Sequence, residues 1–541
     1  MASPCRVDGR PREAMERQRK RRMSVGITGL ADITRHHAAR QPDVAALVYQ
    51  GRTTSYGALD RAASRVANGL IAEGIKPGVR VAHLDKSSNL YFELLFGAAK
   101  ANAVMVSVNW RLAAPEILYI LNDAEAEILF VGEEYFPVVE KIRDELKTVT
   151  KIVSLDARHG AWPSFDEWRD GFPDTDPGLP VRPADTAVQF YTSGTTGLPK
   201  GAELTNANFM FTFEHWSQSW LMKPGVTTIV CLPMFHIGGS GWGLAGLYAG
   251  ATNHVMREFV PANVLATIER ERIEVMLLVP AMILFLVQAP QIHETDLGSL
   301  KLIVYGAAPI PAALLKQAMS IFPCGFQQVY GLTETTGAIT LLPTKDHDPS
   351  DARKLLSCGF AHTGVELRIV DDAGKDLPAG EVGEIAVRSP QVMHGYWRLP
   401  DATKRAIHGD WFYTGDAGYL DDKGYLFIYD RVKDMIVSGG ENIYPAEVES
   451  ALFGHPAVAD VAVIGVPDER WGEAVKAIVV KKPAAAVTAG ELIGWARERI
   501  AGYKLPKSVD FIDVLPRNPT GKILKRELRK PYWGDKQRQI N

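Results

Sequence analysis

The chain has 541 residues, 46% of them hydrophobic and 23% charged, a composition of soluble globular protein and too much chain for one compact core. Sixty Lys and Arg against 63 Asp and Glu leave a net charge of -3, so no global field draws in nucleic acid or an anionic membrane. The four cysteines, Cys5, Cys231, Cys324 and Cys358, are too dispersed for a zinc knuckle and too few to staple the fold, which fits a reducing cytoplasm.

Residues 1–22 carry eight basic side chains, including the run Arg19-Lys20-Arg21-Arg22, against three acidic ones. The following Ser24 to Gly29 is too short and polar for a signal-peptide core. A disordered basic tail over residues 1–23 is expected, with Met23 as an alternative start; its functional alternative is weak adhesion to a membrane surface. From about residue 80 to 340 short β-branched runs alternate with helical patterns: Val79 to Ala82 before Leu90 to Ala101, Ile128 to Val131 before Pro137 to Leu146, Leu302 to Tyr305 before Ala312 to Ile321. That rhythm predicts an α/β fold with βαβ units and buried parallel strands. The apolar run Val275 to Val287 is shorter than the roughly 18 residues a bilayer requires, and Pro280 divides it into a buried strand and a helix.

After residue 360 strands at Val365 to Val370 and Glu384 to Val387 flank the turn Asp371 to Gly374, and a hairpin turns at Asp422-Lys423-Gly424, the pattern of a β-rich subdomain. From Tyr444 onward helices at Ala446 to Phe453 and Ala489 to Ile500 alternate with strands at Val458 to Val466, Val475 to Val480 and Val509 to Val514, an α+β lobe. The expected organisation is therefore a large N-terminal domain of α/β layers over residues 24–431 and a small mobile C-terminal domain over 432–541.

The segment Tyr191-Thr192-Ser193-Gly194-Thr195-Thr196-Gly197-Leu198-Pro199-Lys200 follows the strand-like Thr186 to Phe190. Its glycines free successive N–H groups to converge on an anion, four hydroxyls add donors, and Lys200 adds charge. It lacks the Walker A spacing of a P-loop NTPase. The ten residues resemble the phosphate loop of the adenylate-forming superfamily, which includes acyl-CoA synthetases, luciferase and peptide-synthetase adenylation domains. Further similar motifs recur in order from about residue 30 to 530.

By that resemblance, Gly306-Ala307-Ala308-Pro309 lies against adenine. In Tyr330-Gly331-Leu332-Thr333-Glu334 the tyrosine stacks on the base, Thr333 meets the α-phosphate, and Glu334 with Thr192 holds Mg²⁺; a carboxylate suits a hard cation. Tyr413-Thr414-Gly415-Asp416 resembles the ribose clamp, Arg431 touches the ribose and Lys433 is the hinge. Pro516 to Lys525 resembles the last motif, whose lysine, Lys522 here, neutralises charge as the carboxylate attacks the α-phosphate.

Weaker matches imply coenzyme A as the acceptor. Arg111, in Asn109-Trp110-Arg111-Leu112, and Lys507, in Tyr503-Lys504-Leu505-Pro506-Lys507, are placed at its phosphates. Trp471 and Tyr503 are placed at its adenine, and the glycine pair Gly439-Gly440 lines the thiol channel. Pro233-Met234-Phe235-His236-Ile237 resembles the substrate motif, with His236 either an acyl gate or a packing residue. Gly238 to Gly243 supplies a small-residue wall beside an aliphatic chain unless Trp242 caps it. The implied function is an ATP-dependent acid:CoA ligase acting first on a medium- or long-chain fatty acid, with an aryl or cyclic acid second. Rivals are a fatty acyl-AMP ligase serving a carrier protein, a luciferase-like oxygenase and a non-catalytic relative. A cytoplasmic enzyme, soluble or peripheral to the membrane, is expected; a homodimer is one of its open oligomeric states.

Overall fold

The alternating runs fold as parallel strands flanked by helices. The computed structural model describes residues 26–192, 198–431, 434–438, 441–468, 470–517 and 523–533. Residues 1–23, Ser193, Gly194, Thr195, Thr196, Gly197, Lys433, Gly439, Gly440 and Lys522 lie outside the described residues, as does the side chain of Arg431. The chain divides into two compact units, Met1–Glu258 with Thr333–Gly337 and Ser389–Thr403, and Phe259–Leu332 with Ala338–Arg388 and Lys404–Asn541.

In the first unit a seven-stranded sheet has the order Gly395–Tyr396, Lys200–Thr205, Thr186–Thr192, Val104–Ser107, Arg80–Leu84, Ala126–Val131, Lys151–Ser154. Every residue of Arg80–Leu84 and Val104–Ser107 is buried, as parallel strands covered on both faces require. The pairs from Thr186–Thr192 to Lys151–Ser154 are parallel, whereas Lys200–Thr205 returns antiparallel with Thr192 opposite Lys200. The two ends of the predicted phosphate loop therefore sit together at the strand carboxyl end, where such sheets hold ligands. The helix Asn206–Ser219 starts on Thr205, whose hydroxyl accepts from the Asn208 amide, and the glycine-rich helix Ile237–Ala249 stops at Gly250 with φ 79°, a left-handed cap that glycine adopts without strain.

In the second unit Val275–Leu278, Leu302–Gly306 and Gly325–Leu332 pair in parallel. The apolar run divides where Pro280 predicts, into the strand Val275–Leu278 and the helix Pro280–Gln288, with proline in the first turn where its missing N–H is harmless. The β-rich segment is a five-stranded antiparallel sheet built from Glu366–Val370, Gly383–Arg388, Ile407–His408, Trp411–Leu420 and Leu426–Arg431. The C-terminal segment joins Val458–Asp468, Gly472–Lys481 and Ser508–Phe511 to the helices Pro445–Phe453 and Ala489–Arg497 over a core of Ile436, Ile443, Val448, Leu452, Val463 and Leu492. Thr488 and Glu491 close a capping box at the second helix, a local start signal independent of packing. Among the described residues no helix is long and apolar enough to cross a membrane.

Candidate active site

In the first unit the phosphate-loop strands are braced from below. Gln189 donates to the Tyr191 hydroxyl and Tyr191 donates 2.6 Å to Asp123; burial and this carboxylate push the phenol well above its ordinary range. Arg80 pairs with Glu203 at 2.6 Å, donates to Gln189 and stacks on Trp397. Thr192, at the strand's end, donates 3.2 Å to Glu334 Oε1, although the two are 142 residues apart in sequence. Tyr396 donates 2.9 Å to the same oxygen, and the Lys200 ammonium lies 5.0 Å from the Tyr396 ring centre.

The turn that carries Glu334 is fixed through its backbone. Met393 N–H donates to the Glu334 carbonyl, Gln391 donates to Thr335, and Thr336, at φ 50°, donates to Gln391. Positive φ in a β-branched residue is strained and persists because these bonds over-determine it. Glu334 is 9% exposed, an oxygen donor with a hydroxyl beside it, suited to a hard divalent cation. Among the described residues no cluster of three or more His, Cys, Asp or Glu forms a protein-only metal cage, so such a cation would keep water or substrate oxygens as ligands.

In the second unit Gly306 ends its strand directly against the parallel neighbour, where a Cβ would clash with the Val329 carbonyl oxygen. Its smallness thus answers to strand packing as well as to any ligand. Ala307 follows at φ 68°, exposed, and Ala308 is half-buried. Tyr330, with Gly331 at the end of Gly325–Leu332, donates 2.7 Å to Asp416. Asp416 is itself 6% exposed, and its amide donates to the Thr414 hydroxyl. Gly415 takes φ 70° while its N–H donates to Glu384, at the irregularity in the pairing with Gly383–Arg388. Asp416 and Tyr330 are therefore assembled as one hydrogen-bonded unit. Arg431 pairs through its backbone with Asp416.

Of the residues placed at coenzyme A, Arg111 stacks on Trp110 at 4.4 Å. Trp110 meets Phe235 edge-on at 6.0 Å, and Phe235 lies 4.4 Å from His236. The structure thereby strings Arg111 and His236, 125 positions apart, along one aromatic path. Trp471 and Tyr503 are 40% and 46% exposed, with the Arg470 guanidinium 4.8 Å from the Trp471 ring centre and the Lys504 ammonium 5.5 Å from that of Tyr503, and Lys507 is exposed. Lys504 instead donates to both oxygens of Glu447, which spends its charge inside the lobe.

The small-residue wall differs from the expectation. A Cβ on Gly239 would clash with the Pro233 carbonyl oxygen, and one on Gly243 would press on Phe92, so both glycines serve packing of their own helix. Trp242 is 1% exposed, hydrogen-bonds Thr228 at 2.8 Å and packs 5.2 Å from Trp220. Sequence reasoning missed Tyr396, which no motif marks.

Residues 34–397 match the AMP-binding enzyme family and residues 447–522 match the AMP-binding enzyme C-terminal domain. The chain is 41% identical over 517 residues to the fatty acid--[acyl-carrier-protein] ligase ScoC of Streptomyces coeruleorubidus, covering 95% of this chain and 98% of that one. It is 38% identical to the feruloyl-CoA synthase of an Amycolatopsis species over 93% of this chain and 99% of the relative. The crystal structure of the anthranilate CoA ligase AuaEII in complex with anthranoyl-AMP superposes with a TM-score of 0.87 at 30% identity, covering 93% of this chain and 97% of that one. The chain therefore belongs to the AMP-binding, adenylate-forming enzyme family and is an AMP-forming acid–thiol ligase.

Proposed function

We propose that this chain activates a hydrophobic carboxylic acid with ATP and Mg²⁺ and transfers the acyl group to coenzyme A in the cytoplasm. The observation that carries the reading is the Thr192–Glu334–Tyr396 cluster at the base of a Gly/Thr/Ser loop. In this reading a carboxylate oxygen attacks the α-phosphorus, the bond to the bridging oxygen breaks, and pyrophosphate leaves. The thiol sulfur then attacks the acyl carbon, its proton passes to solvent, and AMP departs. Tyr330 and Asp416 take the nucleoside with Gly306, Ala307, Ala308 and Arg431. Thr192, Ser193, Gly194, Thr195, Thr196, Gly197, Lys200 and Thr333 take the phosphates. Glu334 and Thr192 hold Mg²⁺, which when bound screens phosphate charge. Lys522 serves the first step, and Arg111, Trp471, Tyr503 and Lys507 hold coenzyme A beside Gly439 and Gly440.

Tyr396 is a positioning residue in this scheme, because it orients Glu334 rather than the nucleotide. Loss of such an outer hydrogen bond commonly lowers metal affinity by about 10- to 100-fold. Tyr396→Phe is expected to raise by about tenfold the free Mg²⁺ needed for half-maximal pyrophosphate exchange, with the saturating rate largely kept. A magnesium titration of both proteins measures this, and an unchanged midpoint would detach Tyr396 from the metal.

The similarity to a fatty acid--[acyl-carrier-protein] ligase favours a second acceptor, the phosphopantetheine thiol of a carrier protein. Release of AMP across a panel of acids, with coenzyme A or a phosphopantetheinylated carrier protein supplied in turn, separates the two. Thioester formed with coenzyme A alone supports the first reading; thioester on the carrier alone replaces it with the second.

A further inference from the structure

Trp216 lies on the helix Asn206–Ser219 and is 4% exposed. Its indole occupies the space beside two glycines from distant parts of the first unit. Gly337 closes the Glu334-bearing turn at φ 101°, and a Cβ there would clash with the Trp216 ring. Both the backbone and the ring thus demand glycine. Gly241, on the helix that His236 starts, would bring a Cβ to 3.5 Å from Trp216 Cζ3. Trp216 packs 4.5 Å from Trp220, which packs 5.2 Å from Trp242, and Trp242 is hydrogen-bonded to Thr228. Three indoles packed at tilts of 40° and 35°, the last tied to a sheet strand, make a stiff wall, since closely packed rings yield little.

We infer that Trp216 is the specificity-determining floor of the acyl pocket and that the acid is compact, an aryl or short aliphatic carboxylate, rather than a medium- or long-chain fatty acid. This rests on the ligase reading above, in which the reacting carboxylate lies near Glu334. Gly337 is three residues from Glu334 and Gly241 is five from His236, so a tail running from the activation point along this wall meets the indole. Of the glycines that read from sequence as room for an alkyl chain, Gly241 is the one that faces the indole, beside Ile237. A compact acid ends short of this ring, whereas each further methylene of a long chain meets its packed edge.

The test is acid-dependent ATP–pyrophosphate exchange with benzoate, cinnamate, hexanoate, dodecanoate and hexadecanoate. The parental protein is expected to favour benzoate, cinnamate or hexanoate over hexadecanoate by at least about tenfold in kcat/KM, the discrimination a closed apolar pocket can supply. Trp216→Ala should raise kcat/KM for dodecanoate by about tenfold or more with the KM for ATP unchanged. Trp216→Leu, which keeps an apolar side chain in the core, should move the profile in the same direction if the alanine variant does not fold. A parental preference for hexadecanoate, or a length profile unmoved in folded variants, overturns the inference. No exchange with any acid would instead sink the ligase reading itself, so the two failures are distinct.

Discussion

Lys522→Ala is expected to abolish most adenylation while thioester formation from supplied acyl-AMP proceeds nearly as before. A carboxylate approaching the α-phosphate is anion meeting anion, and a fixed cation lowers that barrier only while pyrophosphate leaves. Loss of one such electrostatic contact typically costs about 10²- to 10³-fold, or roughly 3 to 4 kcal/mol. The described residues on either side of the segment that carries Lys522 are tied to the lobe. Arg517 and Ile523 pair across the base of that segment, and Leu524 N–H donates to Pro516 O. Arg517 binds Asp460 at 2.6 Å and Ile523 packs on the Ala462, Ile464 and Ile478 core. The two half-reactions, measured separately by pyrophosphate exchange and by thioester release, decide it; equal damage to both would remove Lys522 from this role.

Much of this was legible because local signals agree with the fold. The helix Ala312–Ile321 has the bounds its pattern predicts, and Pro280 marks the junction of strand and helix. These are decisions of periodicity and backbone sterics, which a few neighbouring residues settle. Glu334 was legible only as part of a five-residue motif; its bonds to Thr192 and Tyr396 depend on a tertiary approach that no periodicity encodes. Tyr396 sits in a two-residue strand paired with Lys200–Thr205, too short for any pattern. The small-residue run Gly238 to Gly243 was only partly legible for a related reason. A glycine in sequence announces space, but whether a neighbour already fills it is a property of packing, as Gly239 against Pro233 and Gly243 against Phe92 show.

Lys433→Pro is expected to leave acyl-AMP formation standing and to depress thioester formation by about 10²-fold or more, the scale of cost when reacting groups are misplaced by an ångström. In the proposed scheme Lys522 serves the α-phosphate in the first step and the Gly439-Gly440 loop serves the thiol's approach to the acyl carbon in the second, and both belong to one small lobe. Taking turns requires the lobe to rotate, with the φ/ψ change absorbed by few residues. Position 433 is the economical place for it. The β-rich sheet ends at Arg431, while Asp434 is already tied to Arg529 at 2.7 Å and Ile436 is fully buried in the C-terminal core. Paired or packed structure is thus described up to Arg431 and again from Asp434. Proline would fix φ near roughly -65° and restrict Val432 as well, which holds the lobe in whichever pose that angle serves. If that is the adenylating pose, stopped-flow traces will show a normal first phase and a thioester phase slowed by orders of magnitude. Thioester formation at the parental rate would show that the lobe pivots elsewhere or does not need to pivot at all.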